Sequence, residues 1–478
     1  MNLPPQFITQ TQSLLGDVEW QKLSEALEEP QPISIRLNQN KIDKYGICLS
    51  QDIFESIPWC ESGFYLSARP TFTYDPLFHS GAYYVQEASS MFIEQIVKQH
   101  LPHKNIVALD LCAAPGGKTT LLRSLLPSNS LLIANEIVRK RAQILSENLL
   151  KWGHPDVIVT NNSSEDFSEY TNMFDLIVAD VPCSGEGMFR KDEGAIAEWS
   201  VENVDVCWKR QRDIISSIWH SLKPGGLLIY STCTYNTKEN EENVAWILDT
   251  YGAQSLPVQI EDSWNITRSL YSKTLNTYRF MPHKTKGEGF FVSVIQKPLE
   301  EDDVVEFRFP KEKGKSKKRI TAQEAINNKI FEESINWINN SNEVYDSVVY
   351  NDTLFAFPKL YMPYLQLYQK EKMCIVHAGT PIAYIKGKAC IPHHALALSN
   401  LLQINTFEKV EISYEQAIAY LRKEAITLPA MTSKGFVILT YKNMPLGFVK
   451  SLGNRSNNLY PTEWRIRSGY MPQHLLTL

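Results

Sequence analysis

Short apolar runs alternate with longer amphipathic stretches through the middle of the chain. Such runs predict strands buried on both faces, and the stretches between them are long enough for helices. The predicted strands are residues 106–110, 131–136, 157–160, 174–180, 227–231 and, last, 289–296. The predicted helices are residues 118–126, 139–152, 203–222 and 239–250. Repeated alternation of strand and helix predicts a doubly wound α/β sheet.

The pattern changes on both sides of this central stretch. Residues 32–38 alternate like a half-buried strand, and residues 81–92 lead from a turn into a helix. Residues 223–226, Lys-Pro-Gly-Gly, predict a turn before the strand at 227–231. Residues 375–478 show the pattern of short strands and turns. We therefore expect a mixed α+β region before the sheet and a small β-rich or α+β module after it.

A basic stretch at residues 311–319 carries six Lys and Arg residues and breaks the alternation. Two interpretations stand: a solvated linker, or a contact with RNA phosphates. With this boundary we divide the chain into an N-terminal region (1–95), an α/β region (96–300), a basic linker and intermediate region (301–370) and a C-terminal region (371–478).

Composition narrows the class of protein. With 478 residues, 43% hydrophobic and 21% charged, the chain is expected to form about three globular domains. No apolar run approaches the roughly 18 residues of a membrane span, and the N-terminus does not resemble a secretory signal. Eight scattered cysteines are typical of reduced thiols in a cytoplasm. The net charge of −5 disfavours a generic polybasic nucleic-acid binder.

The most informative stretch is Ala-Leu-Asp-Leu-Cys-Ala-Ala-Pro-Gly-Gly-Lys-Thr-Thr (108–120). A strand ends at Asp110 and a loop of small residues leads into a helix, which is where doubly wound sheets bind ligands. A P-loop needs Gly where Cys112 stands, and a dinucleotide loop needs a G-x-G-x-x-G that is absent. A loop around a nucleoside without a pyrophosphate, such as S-adenosylmethionine, is the remaining interpretation.

Glu136 ends the next predicted strand. Its carboxylate can accept hydrogen bonds from both hydroxyls of a ribose, which supports the nucleoside interpretation. The alternative is that Glu136 only caps the helix that starts near Arg139. The residues alone do not separate the two.

Two cysteines, Cys183 and Cys233, each follow an apolar strand and therefore fall on the ligand face of the sheet. This arrangement suits substitution at C5 of a pyrimidine, in which a thiolate adds at C6, C5 becomes nucleophilic, and a base later removes the C5 proton. In this hypothesis Cys233 is the nucleophile, Cys183 assists release and Asp180 stabilises charge near N3. Lys118 holds Asp180 or lowers the pKa of the nucleophilic thiol.

Three runs resemble, in order and spacing, the motifs of the Nol/Nop/Sun family of RNA cytosine-C5 methyltransferases. They are Asp-Leu-Cys-Ala-Ala-Pro-Gly-Gly-Lys-Thr (110–119), Asp-Val-Pro-Cys-Ser-Gly-Glu-Gly-Met (180–188) and Ser-Thr-Cys-Thr (231–234). The resemblance covers about residues 30–297. It implies a Rossmann-like fold, S-adenosylmethionine as the donor and an RNA cytosine as the acceptor. It also implies Cys233 as the nucleophile and Cys183 as the releasing cysteine.

The resemblance further implies which residues bind the donor: Cys112, Ala113, Ala114, Pro115, Gly116, Gly117, Lys118, Glu136 and Asp180. Many relatives carry an Asp near the adenosine after the third strand, whereas this chain has Thr-Asn-Asn-Ser-Ser-Glu (160–165). Asn162 or Ser163 must therefore take that place, and both stay open. Residues 86–90 resemble a segment that packs an N-terminal RNA-binding region, here residues 1–95, against the catalytic sheet. The alternative role of Glu87, Ser89 and Ser90 is to border the donor pocket.

Residues 442–467 contain five basic residues and one acid, with Tyr460 and Trp464 among them. Basic and aromatic side chains together can bind RNA, although the aromatics of an ordinary β module form its core. The segment is similar to the PUA-like RNA-binding end of the bacterial RsmF-type branch, which methylates 16S rRNA. This implies 16S rRNA or the small ribosomal subunit as the partner. The rivals are tRNA as substrate and a non-catalytic RNA-binding assembly factor.

Four further residues have the types that zinc prefers: Cys374, His377, Cys390 and His393. Their spacing matches no zinc motif, and the resemblance implies no metal. We therefore expect a cytoplasmic monomer without a metal and without a membrane segment.

Overall fold

The computed structural model describes residues 1–47, 54–299, 307, 309, 330–339, 344–387, 389–453 and 455–469. The basic stretch at 311–319, for which the sequence leaves a linker and an RNA contact open, lies outside the described residues.

Helices and strands are numbered here in chain order. The helices are α1 (Pro5–Leu15), α2 (Asp17–Glu28), α3 (Gln39–Tyr45), α4 (Pro76–His79), α5 (Ile93–His100), α6 (Gly117–Leu125), α7 (Arg139–Trp152), α8 (Glu193–Glu198), α9 (Val201–Ile218), α10 (Glu241–Tyr251), α11 (Met362–Lys370), α12 (His394–Leu398) and α13 (Tyr414–Leu421). The strands are β1 (Ile33–Leu37), β2 (Phe54–Ile57), β3 (Cys60–Leu66), β4 (Tyr83–Val85), β5 (Val107–Asp110), β6 (Leu131–Asn135), β7 (Val157–Thr160), β8 (Phe174–Asp180), β9 (Leu222–Thr232), β10 (Gln254–Leu256), β11 (Thr277–Phe280), β12 (Phe290–Gln296), β13 (Tyr345–Tyr350), β14 (Thr353–Pro358), β15 (Ile375–Ala378), β16 (Thr380–Lys386), β17 (Ala389–Pro392), β18 (Glu408–Glu411), β19 (Gly435–Tyr441), β20 (Met444–Ser451) and β21 (Ser456–Asn458).

The central sheet has the strand order β10-β12-β9-β8-β5-β6-β7-β15, and β11 pairs with β12 at one side. Strands β9, β8, β5, β6 and β7 run parallel to one another. Strands β5, β6 and β7 are buried along their whole length, as their unbroken apolar sequences require for a sheet covered on both faces. The prediction of a Rossmann-like α/β fold is confirmed.

Two local predictions differ from the structure. The predicted turn at residues 223–226 lies inside β9, because the Gly225 N–H donates to the Lys297 carbonyl and the Lys297 N–H to the Gly226 carbonyl. These bonds keep the backbone paired beyond the apolar run. The predicted helix within residues 81–92 is instead β4 followed by a 3-10 helix, Ser89–Phe92, and α5 begins only at Ile93.

The chain beyond residue 370 does not form one separate module. Strand β15 pairs antiparallel with β7 and extends the central sheet, and the Gly379 N–H donates to the Val157 carbonyl. A second sheet, β13-β14-β16-β17, contains strands from both sides of residue 370. The final sheet has the order β18-β19-β20-β21. The predicted region boundaries at residues 95, 300 and 370 stay predictions.

The N-terminal sheet, β2-β3-β1-β4, joins the C-terminal region in one hydrophobic core. Ile35 and Tyr83 from the first part of the chain belong to the same buried cluster as Ile418 and Leu446 from the last part. The Asn38 amide also donates to the Trp152 carbonyl at the end of α7. The outer regions are therefore packed on each other and on the central sheet. Within the described ranges, no helix has both the length and the apolar character to cross a membrane.

Candidate active site

The loops that follow β5, β6, β8 and β9 meet at the carboxyl edge of the parallel strands. This is the edge at which open α/β sheets bind their ligands. The loop after β5 contains a cis peptide between Ala114 and Pro115, and Gly116 has a left-handed φ of 113°. That conformation lets α6 begin directly at Gly117 and suits glycine, which has no Cβ.

Hydrogen bonds from neighbouring elements hold this loop by its backbone. The Ala113 N–H donates to the Asn135 carbonyl over 2.8 Å. The Arg141 guanidinium donates to the Ala114 carbonyl over 2.8 Å, and the Asn148 amide donates to the Pro115 carbonyl over 2.8 Å. The loop is thus fixed from β6 and α7 without use of its own side chains.

A cleft of about 170 Å³, called here the donor cleft, opens above this loop. Seven of the predicted donor-binding residues line it: Cys112, Ala113, Ala114, Pro115, Gly117, Lys118 and Asp180. The opposite wall comes from the segment around β4, namely Tyr84, Val85, Gln86, Glu87 and Ser90. Of the three residues expected to border the pocket, Glu87 and Ser90 do so, whereas Ser89 is buried and its hydroxyl donates to the Glu288 carbonyl.

Asp110 is a buried carboxyl group at the floor of the donor cleft. Its Oδ2 accepts a hydrogen bond from the Thr119 hydroxyl over 2.7 Å. Its Oδ1 is buried and has no partner among the described residues. Burial raises the pKa of Asp110 to about 7, against the opposing effects of the Thr119 hydrogen bond and the Lys118 charge. Asp110 is thus a cleft-lining carboxyl group with one oxygen that has no partner among the described residues.

Arg36, on β1, supports the same cleft from the N-terminal region. It is completely buried, and its Nε donates to Gln86 Oε1 over 2.8 Å. Its Nη2 donates to the Thr120 hydroxyl over 2.5 Å, and its Nη1 has no partner among the described residues. Burial lowers the pKa of Arg36 to about 10. The guanidinium connects a cleft-lining glutamine to the first turn of α6.

Lys118 and Asp180 form an ion pair at the inner end of the donor cleft, with Nζ 2.8 Å from Oδ2. The Ser231 hydroxyl donates to the other carboxylate oxygen of Asp180 over 2.7 Å. Burial by itself would lower the pKa of Lys118, but the charge and hydrogen bond of Asp180 outweigh it, and the pKa lies above its usual range. The lysine therefore holds Asp180, as one of the two predicted roles of Lys118 requires.

The other predicted donor-binding residues are not among those that line the donor cleft: Gly116, Glu136, Asn162 and Ser163. Glu136 accepts a hydrogen bond from the Val138 N–H at the start of α7 and lies 3.5 Å from the Arg141 guanidinium. One carboxylate oxygen of Glu136 therefore caps the start of α7, as the capping interpretation predicts. Its role at a ribose stays a prediction.

Asn162 is committed to the C-terminal region. Its Oδ1 accepts from the Cys374 N–H over 3.0 Å, and its Nδ2 donates to the Cys374 carbonyl over 3.3 Å. The Ser163 N–H and hydroxyl both donate to Asp166 Oδ2. Both side chains thus have partners already, and their predicted contact with an adenosine stays a prediction.

The two predicted catalytic cysteines are adjacent. Cys183 Sγ lies 3.2 Å from Cys233 Sγ, and the Cys233 N–H donates to Cys183 Sγ over 3.4 Å. Both are free thiols of intermediate burial. The hydrogen bond with Cys233, together with burial, raises the pKa of Cys183 well above its usual range, so Cys183 keeps its proton.

A buried carboxylate, Glu239, ties together the two loops that carry these cysteines. Its Oε2 accepts from the Ser184 N–H and from Gln211 Nε2, and its Oε1 accepts from the Ser184 hydroxyl and from Asn236 Nδ2. Ser184 directly follows Cys183, and Asn236 lies three residues after Cys233. Burial raises the pKa of Glu239 in spite of these bonds. The carboxylate therefore acts as a clamp between the loops.

Glu186 forms a second clamp of the same kind. It is fully buried on the Cys183 loop, and its Oε2 accepts from the N–H groups of Tyr235 and Asn236. Close backbone contact accompanies it, because a Cβ on Gly187 would lie 2.7 Å from the Cys233 carbonyl oxygen. A side chain at that position would push the two cysteine loops apart.

The residues considered for zinc have other partners. His377 Nδ1 lies 2.8 Å from the Ser146 hydroxyl, and His393 Nδ1 accepts from the Ala395 N–H at the start of α12. Among the residues that the structure describes, no group of three or more His, Cys, Asp or Glu side chains is placed to hold a metal ion.

The aromatic residues near the C-terminus belong mainly to the interior. Tyr460 is 1% exposed, and its hydroxyl lies 3.2 Å from His79 Nδ1. The Trp464 ring packs 5.3 Å from the His394 ring, with Lys151 Nζ 5.1 Å from the Trp464 centroid. This favours the core interpretation of both residues and leaves the exposed basic residues of the segment as the groups available to RNA.

The sequence interpretation missed the clamp carboxylates and most of the β4 wall. Glu186 lies inside the motif at residues 180–188, which also contains Cys183. The sequence pattern there does not indicate that this acid is buried. Tyr84 and Gln86 were missed because the apolar pattern of residues 81–92 gives no information on which side chains face a ligand.

Three family models match the chain in order. They describe the N-terminal domain of 16S rRNA methyltransferase RsmF at residues 3–88, 16S rRNA methyltransferase RsmB/F at residues 98–296, and the methyltransferase RsmF PUA domain at residues 407–466. The chain is similar to ribosomal RNA small subunit methyltransferase F of Shewanella oneidensis, with 32% identity over 97% of each chain. The protein of the same name from Vibrio atlanticus is 28% identical over 96% of this chain and 97% of its own.

Solved structures share the architecture. A methyltransferase homolog protein from Pyrococcus horikoshii superposes with a TM-score of 0.50 and 28% identity, covering 62% of this chain and 100% of the other. NSun6 from Pyrococcus horikoshii, solved with SFG, superposes with a TM-score of 0.52 and 20% identity over 62% of this chain and 99% of its own. The second similarity concerns the fold alone.

Proposed function

The chain belongs to the family of 16S rRNA methyltransferases represented by ribosomal RNA small subunit methyltransferase F, and we propose that it transfers a methyl group to C5 of a cytosine in 16S rRNA through a covalent bond between Cys233 and C6. The observation that carries this proposal is the 3.2 Å distance between Cys183 Sγ and Cys233 Sγ, beside the Asp180–Lys118 ion pair. Simple methyl transfer to an amine or hydroxyl needs no such pair of thiols.

The donor of this family is S-adenosylmethionine. The donor cleft, at about 170 Å³, suits a part of this molecule rather than the whole of it. S-adenosylmethionine supplies an electrophilic sulfonium methyl group when it is bound. Asp110, whose Oδ1 has no partner among the described residues, is the cleft-lining group that would pair with a hydrogen-bonding group of the bound molecule. The small residues from Cys112 to Gly117 keep the cleft open, and Glu136, Asn162 and Ser163 are the residues we assign to the adenosine side.

The acceptor ring is positioned by this chain's own side chains. Asp180, held by Lys118 and Ser231, accepts a hydrogen bond from the exocyclic amine of the cytosine in its ionised form, and in its protonated form it donates to N3 as negative charge develops on the ring. The Cys233 thiolate forms a bond to C6, which places the electron pair of the C5–C6 double bond on C5. C5 then takes the methyl group and carries a proton that must leave before the Cys233–C6 bond can break.

Cys183 accepts that proton in the proposed mechanism. The largest cause of its raised pKa is the hydrogen bond to the Cys233 sulfur. Once Cys233 is bonded to C6 it is a thioether, so this cause is removed and the pKa of Cys183 falls, although burial still raises it. Cys183 then gives its thiol proton to water, and its thiolate acts as the base. Removal of the C5 proton restores the C5–C6 double bond and expels the Cys233 thiolate. Cys233 is thereby the ionised thiol when the covalent bond forms, and Cys183 is the ionised thiol when the C5 proton is removed.

The experiment offers purified protein labelled S-adenosylmethionine with small ribosomal subunits, naked 16S rRNA and tRNA in parallel, followed by bisulfite sequencing. New 5-methylcytosine in small-subunit rRNA is the expected result. Label in tRNA alone would keep the chemistry and overturn the substrate. Label in none of the three would favour the rival proposal of a non-catalytic RNA-binding assembly factor.

We further propose that the enzyme acts in the cytoplasm as a monomer. Two thiols at 3.2 Å stay reduced only where the surroundings are reducing. Sedimentation of the pure protein would test the monomer, with a dimer mass contradicting it.

A further inference from the structure

A second cleft of about 280 Å³ lies next to the donor cleft and has no place in the mechanism above. Val85, Gln86 and Glu87 line both clefts, so the two are neighbours along the end of β4 and the segment that follows it. A volume of this size is near the lower end of the range for small-ligand sites, about 300 Å³, and suits one nucleotide rather than a duplex. We call it the flanking cleft.

The flanking cleft has an apolar part and a cationic part. Pro32, Ile33 and Val85 form an apolar part at partial exposure. Arg69 and Lys191 contribute cationic ends and are both exposed. An apolar surface with cationic side chains beside it is the combination that binds a nucleobase together with its phosphate.

The flanking cleft also contains an acid, Glu87, whose carboxylate is bound by backbone N–H groups. Its Oε1 accepts from the N–H groups of Ser89 and Glu288, and its Oε2 accepts from the Ser90 N–H. Three amide dipoles therefore point at the carboxylate. These dipoles partly offset its negative charge, although Glu87 lines the flanking cleft.

The flanking cleft is also connected to the cysteine loop. The Lys191 N–H donates to the Met188 carbonyl, and the Met188 N–H donates to the Gly185 carbonyl, so Lys191 is fixed to the turn that follows Cys183. On the other side, the donor cleft shared through Gln86 ends at Asp180 and Lys118. Lys191 and Gln86 therefore link the flanking cleft to the turn after Cys183 and to the donor cleft.

We propose that the flanking cleft binds the nucleotide next to the target cytosine, with its base on Pro32, Ile33 and Val85 and its phosphate between Arg69 and Lys191. This inference rests on the proposed function, since it names a part of the RNA substrate of that same site. Two neighbouring nucleotides held in separate clefts cannot stack on each other. The enzyme therefore binds its target as an unstacked single strand, as enzymes that act on a base within a helix must do.

The test compares the double variant Arg69→Ala/Lys191→Ala with Lys104→Ala. Lys104 is exposed and lines a cleft at the opposite, amino-terminal edge of the sheet. With unmodified small ribosomal subunits we expect the double variant to raise the KM for RNA about tenfold, while donor affinity stays at the wild-type value. We also expect its salt dependence to be shallower, by about 0.7 in log–log slope for each lost phosphate contact.

A second measurement does not depend on activity. An RNA carrying a photoreactive base next to the modified cytosine should crosslink to a peptide that contains Pro32 and Ile33 or Val85. An RNA KM and a salt slope equal to those of Lys104→Ala, or a crosslink only elsewhere, would overturn the flanking cleft. Failure of the wild-type protein to methylate any RNA would instead overturn the proposed function, so the two failures are distinguishable.

Discussion

The cysteine pair and the donor cleft lie at the same edge of the central sheet, but different parts of the chain build them. The two cysteine loops are clamped by Glu239 and Glu186, and each of these four carboxylate oxygens accepts hydrogen bonds from within the α/β region. The donor cleft takes one wall from the segment around β4 and is supported by Arg36 from β1. Among the described residues, Oδ1 of the cleft-lining Asp110 has no partner, and neither has Nη1 of the supporting Arg36.

This difference matches two requirements of the proposed reaction: a fixed distance between the sulfurs, and a cleft that the donor can enter and leave. The distance between two sulfurs must be constant, and clamp carboxylates whose oxygens all accept hydrogen bonds provide that. A donor molecule must enter and leave, and its cleft keeps one lining carboxyl group, Asp110, with an oxygen that has no partner among the described residues. The N-terminal region consequently lines the donor cleft, in addition to the RNA contact that we propose for it.

The largest expected effect is on the cysteine side. Cys233→Ala removes the atom that would bond to C6, and we expect turnover to fall by roughly 10³-fold or more. Donor affinity, measured by calorimetry, should stay at the wild-type value because Cys233 does not line the donor cleft. Measurable turnover of the alanine variant at more than a few per cent of wild type would contradict the nucleophile assignment.

The next prediction tests the clamp. Glu239→Gln keeps the volume but places an N–H₂ group where only acceptors fit, since all four partners of Glu239 donate to it. A shift of the cysteine loops by about 1 Å can cost on the order of 100-fold in rate. We expect kcat to fall by about ten- to 100-fold with little change in donor affinity. Glu193→Gln, on the exposed start of α8, is the matched control. Equal kcat for the two variants would show that the clamp is dispensable.

On the donor side, Arg36→Gln should weaken donor binding without changing the cysteine pair. The substitution removes the bonds to Gln86 and Thr120, and the loss of a buried charged donor costs about 1–3 kcal/mol. We expect the donor Kd to rise about tenfold, while the rate at which iodoacetamide alkylates the two cysteines stays constant. Lys22→Gln, on α2 of the same region, controls for charge. A changed alkylation rate with an unchanged donor Kd would show that Arg36 supports the cysteine pair and not the donor cleft.

The smallest effect concerns Asp110 and pH. Its pKa is about 7 in the folded protein, above the usual value near 4, so the folded state binds the proton more tightly than the unfolded state. The contribution of Asp110 to stability therefore declines as pH rises from about 4 to 7 and is constant above that. The melting temperature of Asp110→Asn, taken relative to that of wild type, should accordingly rise by a few degrees from pH 5 to pH 8. A constant difference across this range would mean that Asp110 is ionised throughout.

The same two regions show what a sequence reveals. Cys183, Cys233 and Asp180 were predicted because each follows a buried apolar run whose direction fixes the edge of the sheet. The β4 wall could not be predicted, because Tyr84 and Gln86 reach the cleft only through the packing of one region on another. Asn162 illustrates the same limit: its partner, Cys374, is brought to it by β15, more than 200 residues further along the chain.

The central claim is a covalent bond between Cys233 and the RNA, with Cys183 responsible for its release. The most direct measurement incubates Cys183→Ser with S-adenosylmethionine and unmodified small-subunit RNA, denatures the mixture, and maps the attached nucleotide by mass spectrometry after digestion. Serine is a poor base at neutral pH, so we predict that a denaturation-resistant adduct accumulates on the peptide that contains Cys233 and is absent from Cys183→Ser/Cys233→Ala. Normal release of methylated RNA by Cys183→Ser, or an adduct on any other residue, would contradict the account.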